Sequence, residues 1–453
     1  MIRLFVCLLF IVCLFIRLNL QAQVFIPHAY WGCSAIDFLD DTQADFAAGS
    51  SSNLTWAAGS LGLSVGQTSG TLVSNPFDKR RCTLPPFSPF TRLTWVTDLP
   101  YGKELPTTSE LTSNYSALVN STLLASATHI WHMNGTGNVA SGSLVAASLG
   151  TSLTAYQTNG ISFTYTASGT FNSAITLDGV DDRLEALGYT QTGINKLTIS
   201  MWVRSNGTGN RVFMQNRGST GAGQSLTLGM GTNPGGCTAT NGRVSFGLDT
   251  NTIYIGRCMS AGSINDNNWH HVVGVFDGTA GVAVAATQFN IYIDGAVAAV
   301  TNRTVGTAPN APLTGLQNVM MGRHESWNVW YGGSIDEVAV WTRALTATEV
   351  QQLYRRGANK LHFQIRSCTS PTCSDNPTWL GPDGSSSTFF TEINNNSIQS
   401  TGLGNVITAS PVMTFSNFVP LILPNSQLLQ YKVTFESSTT TFSPQLKSVS
   451  ATY

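Results

Sequence analysis

NWHHVVGVFDG (268–278), FNIYIDG (289–295) and GGSIDEVAVWTRALTATEVQQLY (332–354) are the runs whose reading decides the fold. In the first, Trp269, His271, Val273 and Val275 share one face while His270, Val272, Gly274 and Phe276 share the other, the period of two expected of a strand. The second alternates Phe289, Ile291 and Ile293 against Asn290, Tyr292 and Asp294, then stops at an Asp-Gly pair suited to a tight hairpin. In the third, Ile335, Val338, Val340 and Trp341 precede Thr346, which can cap a helix with Glu349 three residues on, the spacing of a capping box. The prediction is three strands and a closing helical turn.

Two earlier runs stand in front of these, SAITLDGVDDRLEA from Ser173 and LTISMWVRS from Leu197. Taken in order, the five pieces resemble the laminin-G-like, concanavalin A-like lectin family of two-sheet jelly rolls. The resemblance covers roughly 125–357, about half the chain. That family mostly binds and seldom catalyses, so the resemblance implies recognition before chemistry.

The amino terminus, MIRLFVCLLFIVCLFIRLNLQA, sets Arg3 before an apolar stretch and ends in the small residue Ala22. It reads as a secretory signal peptide over 1–22, since its apolar run to Ile16 is shorter than the roughly 20 residues a spanning helix needs. Only 10% of residues are charged and the formal net charge is -1, which leaves no electrostatic footprint for nucleic acid or an anionic membrane. Short alternating runs broken by Gly, Asn and Pro favour an all-β exported protein, secreted or held at a cell surface.

Of eight cysteines, Cys7 and Cys13 lie in the leader and six remain. An even number in an exported chain favours disulfides, read here as Cys33 with Cys82, Cys237 with Cys258, and Cys368 with Cys373. Zinc is the alternative for six thiols, but no C-x2-C pair is present.

The flanks look like two halves of one further module. SGTLVSNPFD (69–78) and FTRLTWVTDLPYG (90–102) precede the lectin-like region, while KLHFQIRSC (from Lys360), LLQYKVTFES (from Leu428) and SPQLKSVSATY (to Tyr453) follow it. Their order resembles galactose-binding-like β-sandwich modules of secreted bacterial proteins. The expected fold class is therefore all-β with two β-sandwich domains, the second inserted into a loop of the first. The expected divisions are an outer sandwich from 24–106 plus 360–453, a linker helix at 107–125 and a jelly roll at 126–357; three consecutive domains are the alternative. Insertion at an exposed loop is easy because domain termini usually lie close together.

Catalytic arrangements are scarce. Glycosidases on this scaffold need two carboxylates across the scissile bond, and the best-known families carry them as Glu-x-Asp-x-Glu on one strand. Only eight Glu occur and none forms that pattern; Asp181 with Asp182 and Asp336 with Glu337 are adjacent, and would point to opposite sheet faces if extended. The expectation is a non-enzyme. HExxH is not found, and Trp202, Trp269 and Trp341 read as core. Calcium is the one cofactor the resemblance implies, with Asp336 at the matching position. The family's early acidic residue is missing after HIWHMNG, which leaves Asp336 the alternative role of a structural carboxylate bonding loop amides.

The segment MGRHESWNVWYGGS (321–334) concentrates Arg323, His324, Glu325, Trp327, Trp330 and Tyr331. Sugars are held by stacking their C–H faces on aromatic rings while charged and amide groups hold hydroxyls, and protein partners favour the same residue types. The alternative is that some rings merely cap the sandwich. The leading expectation is a secreted, lectin-like, non-catalytic protein that recognises a surface glycan or a protein in adhesion. A fibre or surface-assembly component that associates with copies of itself, and a polysaccharide-degrading enzyme, are the alternatives.

Overall fold

A computed structural model describes residues 38–79, 90, 92–106, 123–158, 163–166, 168–189, 191, 193–207, 209, 211–218, 224–231, 242–250, 252–314, 316–324, 328–381, 384–392, 398–400, 405–407, 412–414 and 428–452. The expected leader lies outside these residues, as does most of the expected linker helix at 107–125; the described end of that linker, 123–125, is a turn and not helix.

The alternation read in 268–278 is that of a central strand, Trp269–Asp277, paired antiparallel with Lys196–Arg204 on one side and Phe289–Ile293 on the other. Val272 and Phe276 enter the main core, whereas Val273 and Val275 join a second apolar cluster with Trp341, Leu345 and Val350 on the opposite face. Asp294 and Gly295 turn the chain with φ of 52° and 77°, the pair of left-handed conformations that a two-residue hairpin demands. Helix Ala347–Ala358 begins with the predicted box: Glu349 N–H donates to Thr346 Oγ1 and Thr346 N–H donates to the Glu349 carboxylate.

These strands belong to a nine-stranded antiparallel sheet in which Gly332–Trp341 lies between Lys196–Arg204 and Ala174–Asp178. A second nine-stranded sheet runs from Leu144–Val145 through Arg183–Ala186, Leu316–Met321 and Arg211–Gly218 to Val300–Val305. Their inner faces enclose one core, with Trp131, Leu184, Ile199, Phe213, Phe246, Phe289 and Val338 among its fully buried members.

The flanking segments pair with each other. Strand Ser69–Val73 adds to Leu428–Ser437, which continues onto Asn359–Cys368, while Arg92–Thr97 adds to Leu446–Thr452. Both smaller sheets thus take strands from before and after the jelly roll, and they share a core in which the Trp95 and Phe363 rings stack at 4.3 Å. The two sandwiches meet along the buried segment 101–105: Gly102 N–H donates to Arg356 O, and the Arg356 guanidinium donates to Lys103 O and Glu104 O.

Cys368 and Cys373 are disulfide-bonded, as read from SCTSPTC. Cys258 is also disulfide-bonded, while Cys237, its expected partner, and the expected Cys33–Cys82 pair lie outside the described residues. Cys373→Ser is expected to lower stability by about 2 kcal/mol, the loop-closure value for so short a ring, read as a lower denaturant midpoint at unchanged slope. Among the described residues no helix is long and apolar enough to cross a membrane.

Candidate functional site

The residues named between 321 and 334 separate by strand geometry. Arg323–His324 pairs antiparallel with Val329–Trp330, placing Arg323 directly opposite Trp330 and His324 opposite Val329. The Arg323 guanidinium consequently lies over the Trp330 ring at 4.7 Å, and both side chains stay half-buried at the surface. Trp330 Nε1 donates to Asn328 Oδ1, a residue held at φ 46° in the turn, and Arg211 donates to Trp330 O.

His324 and Tyr331 depart from the expected ligand-binding role. Alternation turns His324 inward, where Nε2 sits 3.0 Å from Asp249 Oδ2 and 3.3 Å from Gln215 Nε2 in a buried polar group. Burial raises the Asp249 carboxyl and the His324 contact partly offsets it. Tyr331 is wholly buried, edge-on to Phe213 at 5.2 Å, and its hydroxyl donates to Arg204 O and Ser334 O. Of the six, Arg323 and Trp330 remain at the surface; Glu325 and Trp327 lie outside the described residues.

A second arginine–tryptophan stack stands at the same end of the sandwich. Arg204 is the cross-strand partner of Trp269 and its guanidinium lies 5.0 Å from that ring, while Trp269 Nε1 donates to Ser168 O. Trp202 and Trp341 are core, as read: Trp202 stacks on Tyr354 and Trp341 Nε1 donates to Leu123 O. Trp269 is not. As the first residue of its strand it sits where the sheet ends, half-buried on a cleft of about 280 Å³ that also touches Thr170, Lys360 and Glu436. The alternating pattern made it look like core; only the strand's end point exposes it.

Asp336 and Glu337 also depart from the reading of opposite faces. Ser200 pairs with Ala339 and Trp202 with Asp336, so the strand carries an extra residue there, and Glu337 takes φ 45°. Ile335 and Val338 both enter the core, which puts the two carboxylates between them on the same outer face. Glu337 Oε1 accepts from Leu105 N–H and its Oε2 lies 2.6 Å from His132 Nδ1, with Glu104 Oε2 3.6 Å from the same nitrogen. Burial opposes the charge on His132, but Glu337 and Glu104 outweigh it and lift the imidazole to about 9. Burial, with Glu337 beside it, raises the Glu104 carboxyl.

Asp336 does not fit calcium. Asp336 is fully buried and its Oδ2 accepts from the Thr170 and Phe171 amides at 2.7 and 3.2 Å, so N–H donors stand where a cation would need oxygens. Burial, with Glu337 next, pushes its carboxyl well up. Asp336 is the structural carboxylate that fastens the 168–171 loop. In the other adjacent pair, Asp181 Oδ2 accepts from Thr158 N–H, and Asp182 Oδ2 from Asp178 N–H.

Residues 178–351 match the family model described as the concanavalin A-like lectin/glucanases superfamily. No curated protein matches the chain. Among solved structures, domain 4 of AbnA, a GH43 extracellular arabinanase from Geobacillus stearothermophilus in complex with arabinotriose, aligns at a TM-score of 0.34 and 18% identity over 50% of this chain and 98% of that one. The receptor binding domain of botulinum neurotoxin type G aligns at 0.33 and 14%, over 54% of this chain and 57% of its own. A heptameric SAP-like pentraxin from Limulus polyphemus aligns at 0.28 and 16%, over 40% and 81%. The two nine-stranded sheets around one core, formed by strands between Ala127 and Trp341, are the part of the chain in which the match to that superfamily's model falls.

Proposed function

We propose that this protein is a secreted, non-catalytic, lectin-like module for adhesion, and that it recognises a surface glycan through the end of its jelly roll that carries Arg323, Trp330, Arg204 and Trp269. The jelly roll is taken as an insertion in a loop of the outer sandwich, whose two sheets draw strands from both flanks. One observation carries the reading: two half-buried tryptophans at the same end, each with an arginine over its ring. A guanidinium holds an indole in one orientation, and an ordered indole beside polar groups is the element that stacks on sugar C–H faces. The disulfide and the leader-like amino terminus support export. The non-catalytic reading is supported by the use of Asp336, Glu337 and Glu104 in buried contacts.

A glycan array with the mature protein tests this. Trp330→Ala is expected to weaken the best array ligand by about 2 kcal/mol or more, the hot-spot threshold, at a nearly unchanged melting temperature. Unaltered binding would remove this end as the site. Release of reducing sugar from a polysaccharide panel would replace the reading with an enzyme, and association without glycan would favour a fibre component.

A further inference from the structure

The opposite end of the same strands carries a separate cleft. Lys196–Arg204 runs about 25 Å from one end of the jelly roll to the other at roughly 3.3 Å per residue. At its Lys196 end, strand Ala127–Trp131, residues 188, 189, 191 and 193–196, and Thr151 and Thr342 enclose a cleft of about 740 Å³. That size lies within the roughly 300–1,000 Å³ of small-molecule sites.

Its lining is hydroxyl, amide and aromatic. Thr128, Thr151 and Thr342 supply hydroxyls, Gln191 and Asn195 supply amides, and His129 with Tyr189 forms an aromatic wall with ring centroids 4.4 Å apart. His129 also stacks on Trp131 at 5.1 Å, which fixes its ring. His129 Nδ1, Gln191 Nε2 and Asn195 Oδ1, on side chains that line the cleft, are buried with no hydrogen-bond partner among the described residues. Two of these residues are only 8% exposed, so water is scarce at the cleft floor and an unpaired donor or acceptor there is costly.

Charge narrows the ligand. Among the described lining residues, Lys196 is the one permanently charged group, and its Nζ sits 2.7 Å from Asp277 Oδ1. Burial lowers His129 to about 4, so its ring is neutral at physiological pH. Among the described lining residues there is no carboxylate, and the one permanent cation, Lys196, is paired with Asp277.

We propose that this cleft is a second binding site, for a neutral hydroxyl-rich ligand, namely an uncharged sugar residue. The sugar's hydroxyls would pair with the Gln191 and Asn195 amides, which reach the cleft by rotation about their terminal torsions, and its apolar face would meet the His129–Tyr189 wall. The inference rests on the cleft's own lining and not on the arginine–tryptophan end, so the two sites can fail separately.

The test uses the whole mature protein against glucose, galactose, mannose and arabinose, with N-acetylneuraminate as the anionic control, by ligand-observed NMR and calorimetry. At least one neutral sugar is expected to bind, with affinity falling about tenfold in Gln191→Ala and in Asn195→Ala, the size of one lost hydrogen bond at the upper end. Trp330→Ala is expected to leave that affinity unchanged. Gln191 also accepts from Asn216 and can perturb folding, so the half-buried Asn195→Ala, checked by an unchanged melting temperature, decides alone if the first variant is unstable. No binding of any neutral sugar overturns the proposal, and so does a neutral-sugar affinity that falls in Trp330→Ala but not in Asn195→Ala. Equal binding of N-acetylneuraminate at the cleft would overturn its neutrality.

Discussion

Replacing His132 with alanine is expected to cost about 3 kcal/mol at pH 7, because it leaves Glu104 and Glu337 buried together without the imidazolium that pairs them. Leu105 N–H and Asn134 would still donate to the two carboxylates, so the chain should remain folded but melt earlier. The effect carries a pH signature. A histidine raised from its ordinary value near 6.5 to about 9 stabilises the fold fully below 6.5, and that contribution is lost as pH rises through 9. The Glu104 carboxyl is raised by its burial and by Glu337, so forcing it to ionise at high pH acts in the same direction. The melting temperature of the wild-type protein should therefore fall between pH 6.5 and 9.5, and His132→Ala should fall less over the same range. A flat wild-type profile there would mean that His132 carries no proton between the carboxylates.

A fragment of residues 123–358 is expected to fold alone with a cooperative transition, and the remaining segments to need each other. The jelly roll keeps its two nine-stranded sheets and whole main core in that fragment. It must start at 123 rather than 126, because Leu123 O accepts from Trp341 Nε1 and Leu123 packs in the cluster of Trp341 and Val350. What it loses is Leu105 from that cluster and the clasp of segment 101–105 on Arg356, so it should melt below the whole protein. Neither 38–106 nor 359–452 should fold by itself, since each smaller sheet draws strands from both. Circular dichroism and hydrogen exchange on the three pieces check this. A fragment 123–358 that stays unfolded, or a 359–452 segment that folds unaided, would sink the insertion.

Local chemistry was legible in the sequence wherever its cause was local. The alternation in 268–278, the Asp294–Gly295 turn and the Thr346–Glu349 box each depend on residues within a few positions, and each is found as read. The Cys368–Cys373 bond spans one Pro-containing turn and was readable for the same reason. The candidate site was only partly legible. Aromatic and charged residues in 321–334 marked a surface segment, but alternation alone could not say that Arg323 and Trp330 face outward together while His324 and Tyr331 turn in.

Tertiary structure decided what depends on where strands end, where they bulge and what lies across from them. One extra residue at Glu337 sets two adjacent carboxylates on the same face, which no periodicity reveals because a bulge is a mismatch between two strands and not a property of either. Trp269 leaves the core because its strand begins there, and the cleft beside His129 exists because segments near 128, 151, 191 and 342 converge. The pairing of 69–97 with 428–452 is of the same kind. Sequence alone determined which stretches become strands and which face each seeks to bury, since hydrophobic alternation and turn chemistry act over a few residues. Partner, register and exposure were settled only by packing, since they depend on contacts between residues far apart in the chain.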